Sequence, residues 1–214
     1  MRMILLLLWV ITISLQTTAQ NNDVHYGDLS GKEKRWAMLH PRAAKKVKKI
    51  IPDVRTDVRL KISEGKIDSL IHGGQADAYR HALWMALTAK HIGDKKARKV
   101  GQMHEEGNKT NFYKSIKEDD ALQDSISCQM DLLNNDLGIA YGIGYKDKSD
   151  EEIKELVLTG VLAAEFFMLF RNKQNEFLDC EGNIVDNKNR ITDKRWYLPY
   201  CLVPTNNTSD IPTR

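Results

Sequence analysis

Residues 72–84 constrain the fold of this chain more than any other part of its sequence. Gly73 and Gly74 suit a sharp turn into a helix, because glycine tolerates positive φ angles. The polar and aromatic side chains that follow at helical spacing are Asp77, Arg80, His81 and Trp84. An acid, an imidazole and a guanidinium on an otherwise apolar helix are costly to bury unless they are paired. The segment therefore predicts either a buried polar network or a chemically active site.

The N-terminus has the pattern of a secretory signal peptide. Arg2 precedes an apolar run over residues 4–15, and residues 17–19 are small enough for cleavage. We predict a signal peptide over residues 1–19, a flexible lead-in over 20–28 and a single domain over 29–214. Because no other stretch of the sequence is long enough to cross a bilayer, the mature chain is predicted to be secreted or periplasmic, with no transmembrane span.

The charge of the chain bears on its partners, and its length bears on the number of domains. The formal net charge of the chain is only +3, which gives no argument for nucleic acid as a partner. The length suits one domain with a proper hydrophobic core. The expected partner is therefore an unidentified substrate in the periplasm or outside the cell.

Hydrophobic periodicity predicts a mainly α-helical fold, a single helical bundle with a short C-terminal β-hairpin or loop appendage. A capping box at Ser30 and Glu33 begins a short helix that ends at Leu39. Further helices are predicted over residues 42–51, 75–91, 95–106, 120–141 and 150–170. Pro52 is expected to end the second helix and Gly107 the fourth. Residues 176–185 are predicted to form the hairpin, and residues 195–202 an extended segment.

Cysteine is sparse in this chain. Cys180 and Cys201 both lie in the non-helical C-terminal part, and in an exported protein they are predicted to form a disulfide. Cys128 lies in a helical pattern and is predicted to be a small buried residue. The absence of a Cys-x-x-Cys pair excludes a structural zinc finger.

Polar residues on three predicted helices are expected to face inward and to converge. They are Asp77, Arg80 and His81 on the helix 75–91, His104 and Glu105 on the helix 95–106, and Asp131, Asn134 and Asn135 on the helix 120–141. Asparagine in a helix interior is unfavourable unless its amide finds a partner. The two consecutive asparagines therefore indicate contacts with other segments.

The order of these motifs resembles a bacterial family described as a domain of unknown function, whose members occur in exported proteins and polymorphic toxins. The matching patterns are Gly-x-Ala-Asp-Ala-Tyr-Arg-His-x-x-Trp, His-Glu and Met-Asp-x-x-Asn-Asn-x-x-Gly, which together cover residues 72–138. The resemblance implies a helical domain with a shared polar centre and no established reaction. Asp131 is followed by Leu-Leu where the family pattern has Leu-His, which removes an imidazole and weakens a metal site.

The functional hypothesis is a small hydrolase. His81 or His104 would act as general base, oriented by Asp77 or Glu105. Arg80 would bind negative charge. Asp131 completes the candidate catalytic set, and the candidate binding residues are Trp84, Asn134 and Asn135.

Two alternatives stay open beside metal-free acid–base catalysis. His81, His104 and Asp131 offer nitrogen and oxygen ligands that suit a divalent metal such as zinc. The other alternative is a non-catalytic exported binding or structural domain, whose buried polar network only locks the helices together.

Overall fold

The computed structural model describes residues 29–115 and 122–206, and the predicted signal peptide and lead-in lie outside these ranges. The described chain forms six helices and one two-stranded sheet. The helices are α1 (Gly31–Leu39), α2 (Pro41–Ser63), α3 (Gln75–Ile92), α4 (Asp94–Tyr113), α5 (Ser125–Gly144) and α6 (Asp150–Leu162), and the strands are β1 (Phe167–Leu169) and β2 (Leu202–Pro204). The predicted class, mainly α-helical with a short β appendage, is confirmed. None of the described helices is both long and apolar enough to cross a membrane.

Local capping sets where several helices begin. The Ser30 hydroxyl accepts a hydrogen bond from the Glu33 amide, and the Glu33 carboxylate accepts one from the Ser30 amide, as predicted. Ser149 and Glu152 form the same reciprocal pair at the start of α6. Asp124 caps α5, which begins at Ser125 and not at residue 120.

Two predicted helix ends are wrong. Pro52 lies inside α2, which continues to Ser63. Pro52 has no backbone N–H, so one helical hydrogen bond is missing. The helix tolerates this because Val54 and Val58, which follow the proline, are buried in the core. Gly107 lies inside α4, where a Cβ atom would come within 2.9 Å of the Ser30 side chain. This glycine lets α1 approach α4 closely.

The C-terminal region also departs from the prediction. The last helix ends at Leu162 and not at residue 170, and Ala164 then reverses the chain with φ at 67°. β1 pairs antiparallel with β2, with Phe167 opposite Pro204. Of the segment predicted to be extended, residues 195–201 lie outside any strand and Leu202 begins β2. An antiparallel bridge between Leu178 and Ile184 closes the turn of the predicted hairpin.

The predicted disulfide between Cys180 and Cys201 is confirmed, with Cα atoms 4.8 Å apart. It joins the turn of the appendage to the residue before β2. Cys128 is free and buried, as expected. Disulfides persist mainly in oxidising compartments, so the bond is compatible with export.

Helix α3 is the centre of the bundle and packs against α2, α4, α5 and α6. It meets α5 at very short range, because Gly138 and Gly142 lie directly against the backbones of Ala82 and Ala86. Side chains at these positions would push the two helices apart. The close approach brings the polar residues of α3 and α5 into contact.

Candidate functional site

Three ionisable side chains meet between α3 and α5, and we call Asp77, His81 and Asp131 the Asp–His–Asp cluster. Nε2 of His81 lies 3.6 Å from Oδ1 of Asp77 and 3.5 Å from Oδ1 of Asp131. One potential ligand atom from each residue lies within 4.8 Å of the others. All three side chains are buried. The cluster can therefore offer one nitrogen and two carboxylate oxygens to a single ion.

Asp77 is held by the turn that leads into α3 and by its own helix. The Gly73 amide donates to Oδ2 of Asp77 at 2.6 Å, and Nη2 of Arg80 donates to Oδ1 at 2.7 Å. Gly73 has φ at 76°, and a Cβ atom there would come within 2.7 Å of the Leu169 side chain. Only glycine suits this position, which explains the glycine that opens the motif.

Arg80 belongs to the same group of side chains. Besides its bond to Asp77, its Nη2 atom lies 3.2 Å from Nε2 of His81. The Arg80 side chain is 15% exposed, compared with 3% or less for the three cluster residues. Arg80 is therefore the member of the group that reaches towards solvent.

His104 lies next to the cluster but outside it. Its ring centroid is 6.2 Å from that of His81, while its Nδ1 atom lies 3.3 Å from Oε1 of Glu33 on α1. Asp77, not His104, is thus the third side chain within ligand distance of His81 and Asp131. The sequence did not predict Glu33 near the site, since its only local signal was the capping box.

The contact with His104 affects the ionisation of Glu33. Burial raises the pKa of the Glu33 carboxyl, but the hydrogen bond and charge of His104, with the bonds to Ser30, lower it below its ordinary value. The ionised carboxylate is therefore the form that the fold favours. This pair connects α1 to α4.

Glu105 is not among the three side chains of the Asp–His–Asp cluster. It is buried and accepts a hydrogen bond from Nδ2 of Asn108 at 3.0 Å. Burial raises the pKa of the Cys128 thiol, and the nearby carboxylates of Glu105 and Asp131 raise it further. Cys128 is therefore protonated and a poor nucleophile.

The two asparagines have different surroundings. Asn134 exchanges two hydrogen bonds of 2.9 Å with the Phe167 backbone, and so fastens β1 to α5. Asn135 is 2% exposed, and its amide oxygen and nitrogen make no hydrogen bond within the described part of the chain. It lies against Gly101 of α4, one helical turn beyond Asp131. A buried amide without protein partners is a typical position for a bound water or ligand.

Trp84 contacts both this polar region and an apolar cavity. Its ring packs edge-on against His104 at 5.2 Å and against His81 at 6.4 Å between centroids. Trp84 also lines a cavity of about 310 Å³ among α1, α2, α3 and α4, which we call the α1–α4 cavity. Its apolar walls include Trp36, Val47, Ile51, Trp84, Val100 and Met103.

A family model described as a domain of unknown function (DUF6973) matches residues 34–165, a range that contains the whole Asp–His–Asp cluster and its neighbours on α3, α4 and α5. No curated protein and no solved structure matches the chain.

Proposed function

The chain belongs to the DUF6973 family of domains of unknown function, and we propose that it is a metal-dependent hydrolase that acts in the periplasm or outside the cell. The proposal rests on the Asp–His–Asp cluster. An imidazole and two carboxylates within 4.8 Å of one another form a ligand set that suits zinc or a similar divalent ion. Three protein ligands leave a coordination position for water, which such a metal activates for hydrolysis.

Charge supports a cation at this position. Asp77 and Asp131 are both fully buried. Burying two carboxylates around one imidazole is costly, and a divalent ion between them would compensate both charges. The guanidinium of Arg80 lies 3.2 Å from His81 Nε2, so metal binding would displace it towards its partly exposed side. There it can bind an anionic group of the substrate or the charge that develops during hydrolysis.

A second candidate is a non-catalytic exported binding domain with a structural polar network. The bonds from Gly73 and Arg80 to Asp77 favour it, because they already fix the entry to α3 without any ion. In this alternative His81 and Asp131 contribute to stability alone. Metal binding separates the two candidates.

The first experiment measures zinc binding and thermal unfolding of the purified mature chain. Asp131→Asn removes a cluster carboxylate, whereas Asp136→Asn makes the same change at an exposed position of the same helix. We expect the wild type and Asp136→Asn to bind zinc and to gain about 2.7 kcal/mol of stability at a zinc concentration 100 times the Kd. Asp131→Asn should lose both responses. Equal zinc binding by the two variants, or none by the wild type, would refute the metal site.

A second experiment tests hydrolysis directly. Zinc-loaded wild type and both variants are assayed on a panel of chromogenic acyl and phosphate esters. We expect activity to fall at least about 100-fold in Asp131→Asn, because this variant no longer holds the metal that would activate water, and to be retained in Asp136→Asn. Activity that is equal in both variants would exclude the cluster as the catalytic centre.

A further inference from the structure

The α1–α4 cavity has the size of a small-molecule site. Ligand pockets commonly occupy about 300–1,000 Å³, so a cavity of about 310 Å³ is at the small end of this range. Its apolar lining comes from all four helices, with Trp36 on α1, Val47 on α2, Trp84 on α3 and Val100 on α4. A wall of this composition favours an apolar ligand of limited size, such as one short alkyl chain.

The rim of the same cavity is basic. Lys45 and Lys48 line it from α2, and both are exposed. Between residues 41 and 52 this helix carries five basic residues and no acidic one. Neither Lys45 nor Lys48 forms an ion pair with any residue that the structure describes.

Among the residues that the structure describes, Glu33 is the one acidic residue that lines the cavity. Its carboxylate is already engaged by the Ser30 amide and by His104. Lys45 and Lys48 pair with no carboxylate of residues 29–115 and 122–206, and their exposed ammonium groups can bind an anion from solution. An apolar interior with a cationic rim is complementary to an amphiphile that has an alkyl tail and an anionic head.

We propose that the α1–α4 cavity binds an anionic single-chain amphiphile of the fatty-acid type. The alkyl chain lies between Trp36 and Trp84, and the carboxylate is bound by Lys45 and Lys48. This binding goes beyond the proposed hydrolysis and does not require it, because none of the three residues of the Asp–His–Asp cluster lines the cavity.

The test is a titration of the mature chain with decanoate below its micellar concentration, followed by tryptophan fluorescence. Trp36 and Trp84 line the cavity, so occupancy should change their emission. Decyltrimethylammonium carries the same chain with the opposite charge, and acetate carries the head without the chain. We expect saturable binding of decanoate, at least tenfold weaker binding of the cation and none of acetate. Equal binding of the two decyl compounds would overturn the proposal.

Paired variants locate the site. Ala44→Phe places a ring in the cavity, and Ala140→Phe makes the same change at an exposed position of α5. We expect the first to lose at least 90% of decanoate binding and the second to retain it. Equal binding by both would show that decanoate binds elsewhere and would overturn the proposal.

A second pair tests the basic rim. The double variant Lys45→Gln/Lys48→Gln should weaken decanoate at least tenfold, whereas Lys95→Gln/Lys96→Gln on exposed positions of α4 should not. If both double variants bind decanoate as the wild type does, the anionic head is not recognised by the rim and the proposal fails.

Two further measurements show whether decanoate binding depends on the Asp–His–Asp cluster or on the N-terminal segment. Asp131→Asn should bind decanoate normally even if it has lost zinc, so this result stays the same if the proposed hydrolase function is wrong.

A chain that begins at Leu29 should bind decanoate as the mature chain does. Binding that appears only after residues 20–28 are removed would identify that segment as the native occupant and would overturn the proposal.

Discussion

The Cα atom of Ala82 lies 2.8 Å from the position that a Cβ atom would take on Gly138. One turn further along both helices, Ala86 and Gly142 repeat the arrangement at 2.9 Å. The backbones of α3 and α5 are therefore in direct contact. This contact sets the spacing of the two helices that carry His81 and Asp131. His81 directly precedes Ala82, and Asp131 lies about two helical turns before Gly138.

Gly138→Ala should separate the two helices. The added methyl group meets backbone atoms that cannot move aside, so we expect the free energy of unfolding to fall by about 3 kcal/mol, measured by urea denaturation. Gly144→Ala is the control, because nothing lies within 4 Å of its new methyl group. It should change stability by less than about 1 kcal/mol. A Gly138→Ala variant as stable as the control would contradict the close packing.

The Cys180–Cys201 disulfide should stabilise the appendage. It closes a loop with a sequence separation of 21. Since a cross-link of this size restricts the unfolded chain, the double variant Cys180→Ser/Cys201→Ser should lose about 3 kcal/mol in urea unfolding. Adding a reductant to the wild type should have a similar effect. Cys128→Ala keeps the bridge and should keep its sensitivity to reductant; loss of that sensitivity would mean that a different pair is bonded.

Features that depend on neighbouring residues could be predicted from the sequence. The capping box at Ser30 and Glu33 acts over three residues, so the order of side chains was enough to identify it. The inward faces of α3 and α5 followed from helical periodicity, which brought His81 and Asp131 to the same interior region. The catalytic and binding roles of these residues stay predictions.

Features that depend on distant partners could not be predicted. Glu33 and His104 are separated by 71 residues, and neither has a local pattern that indicates the other. The segment containing Phe167 has a helical apolar spacing but becomes a strand, because it pairs with β2 near residue 204. Pro52 remains helical because the burial of Ile50 and Val54 on either side of it outweighs the loss of one backbone hydrogen bond. In each case tertiary contacts override the local preference.

Acid should weaken the attachment of α1 through Glu33. Its folded-state pKa lies below the ordinary value of 4.5, so its contribution to stability is present above pH 4.5 and is lost as the pH falls through the folded-state pKa. Glu33→Gln removes the charge but keeps a side chain that can complete the capping box. We expect urea unfolding of this variant to vary less with pH below 4.5 than that of the wild type.

The control for this pH dependence is Glu181→Gln, a change at an exposed position in the C-terminal appendage. Its stability should follow the same pH profile as the wild type. Fluorescence of Trp36, which is buried on α1, reports the same transition locally. Parallel profiles for Glu33→Gln and the wild type would show that the Glu33–His104 pair does not contribute to folding.

The stability of the metal-free protein should distinguish a functional cluster from a structural one. Asp131→Asn keeps the shape of a fully buried side chain and removes its charge beside Asp77. If the cluster is a metal site, the charge is unfavourable without an ion, and the variant should be as stable as the wild type or more stable in the presence of a chelator. In a structural network the same change leaves a buried partner unsatisfied and should lower the free energy of unfolding by about 1–3 kcal/mol.

Thermal unfolding of Asp131→Asn and Asp136→Asn, each with chelator and with zinc, measures the difference in stability. A loss of stability in Asp131→Asn under chelator, together with a wild type that does not respond to zinc, would favour the structural network over the proposed hydrolase.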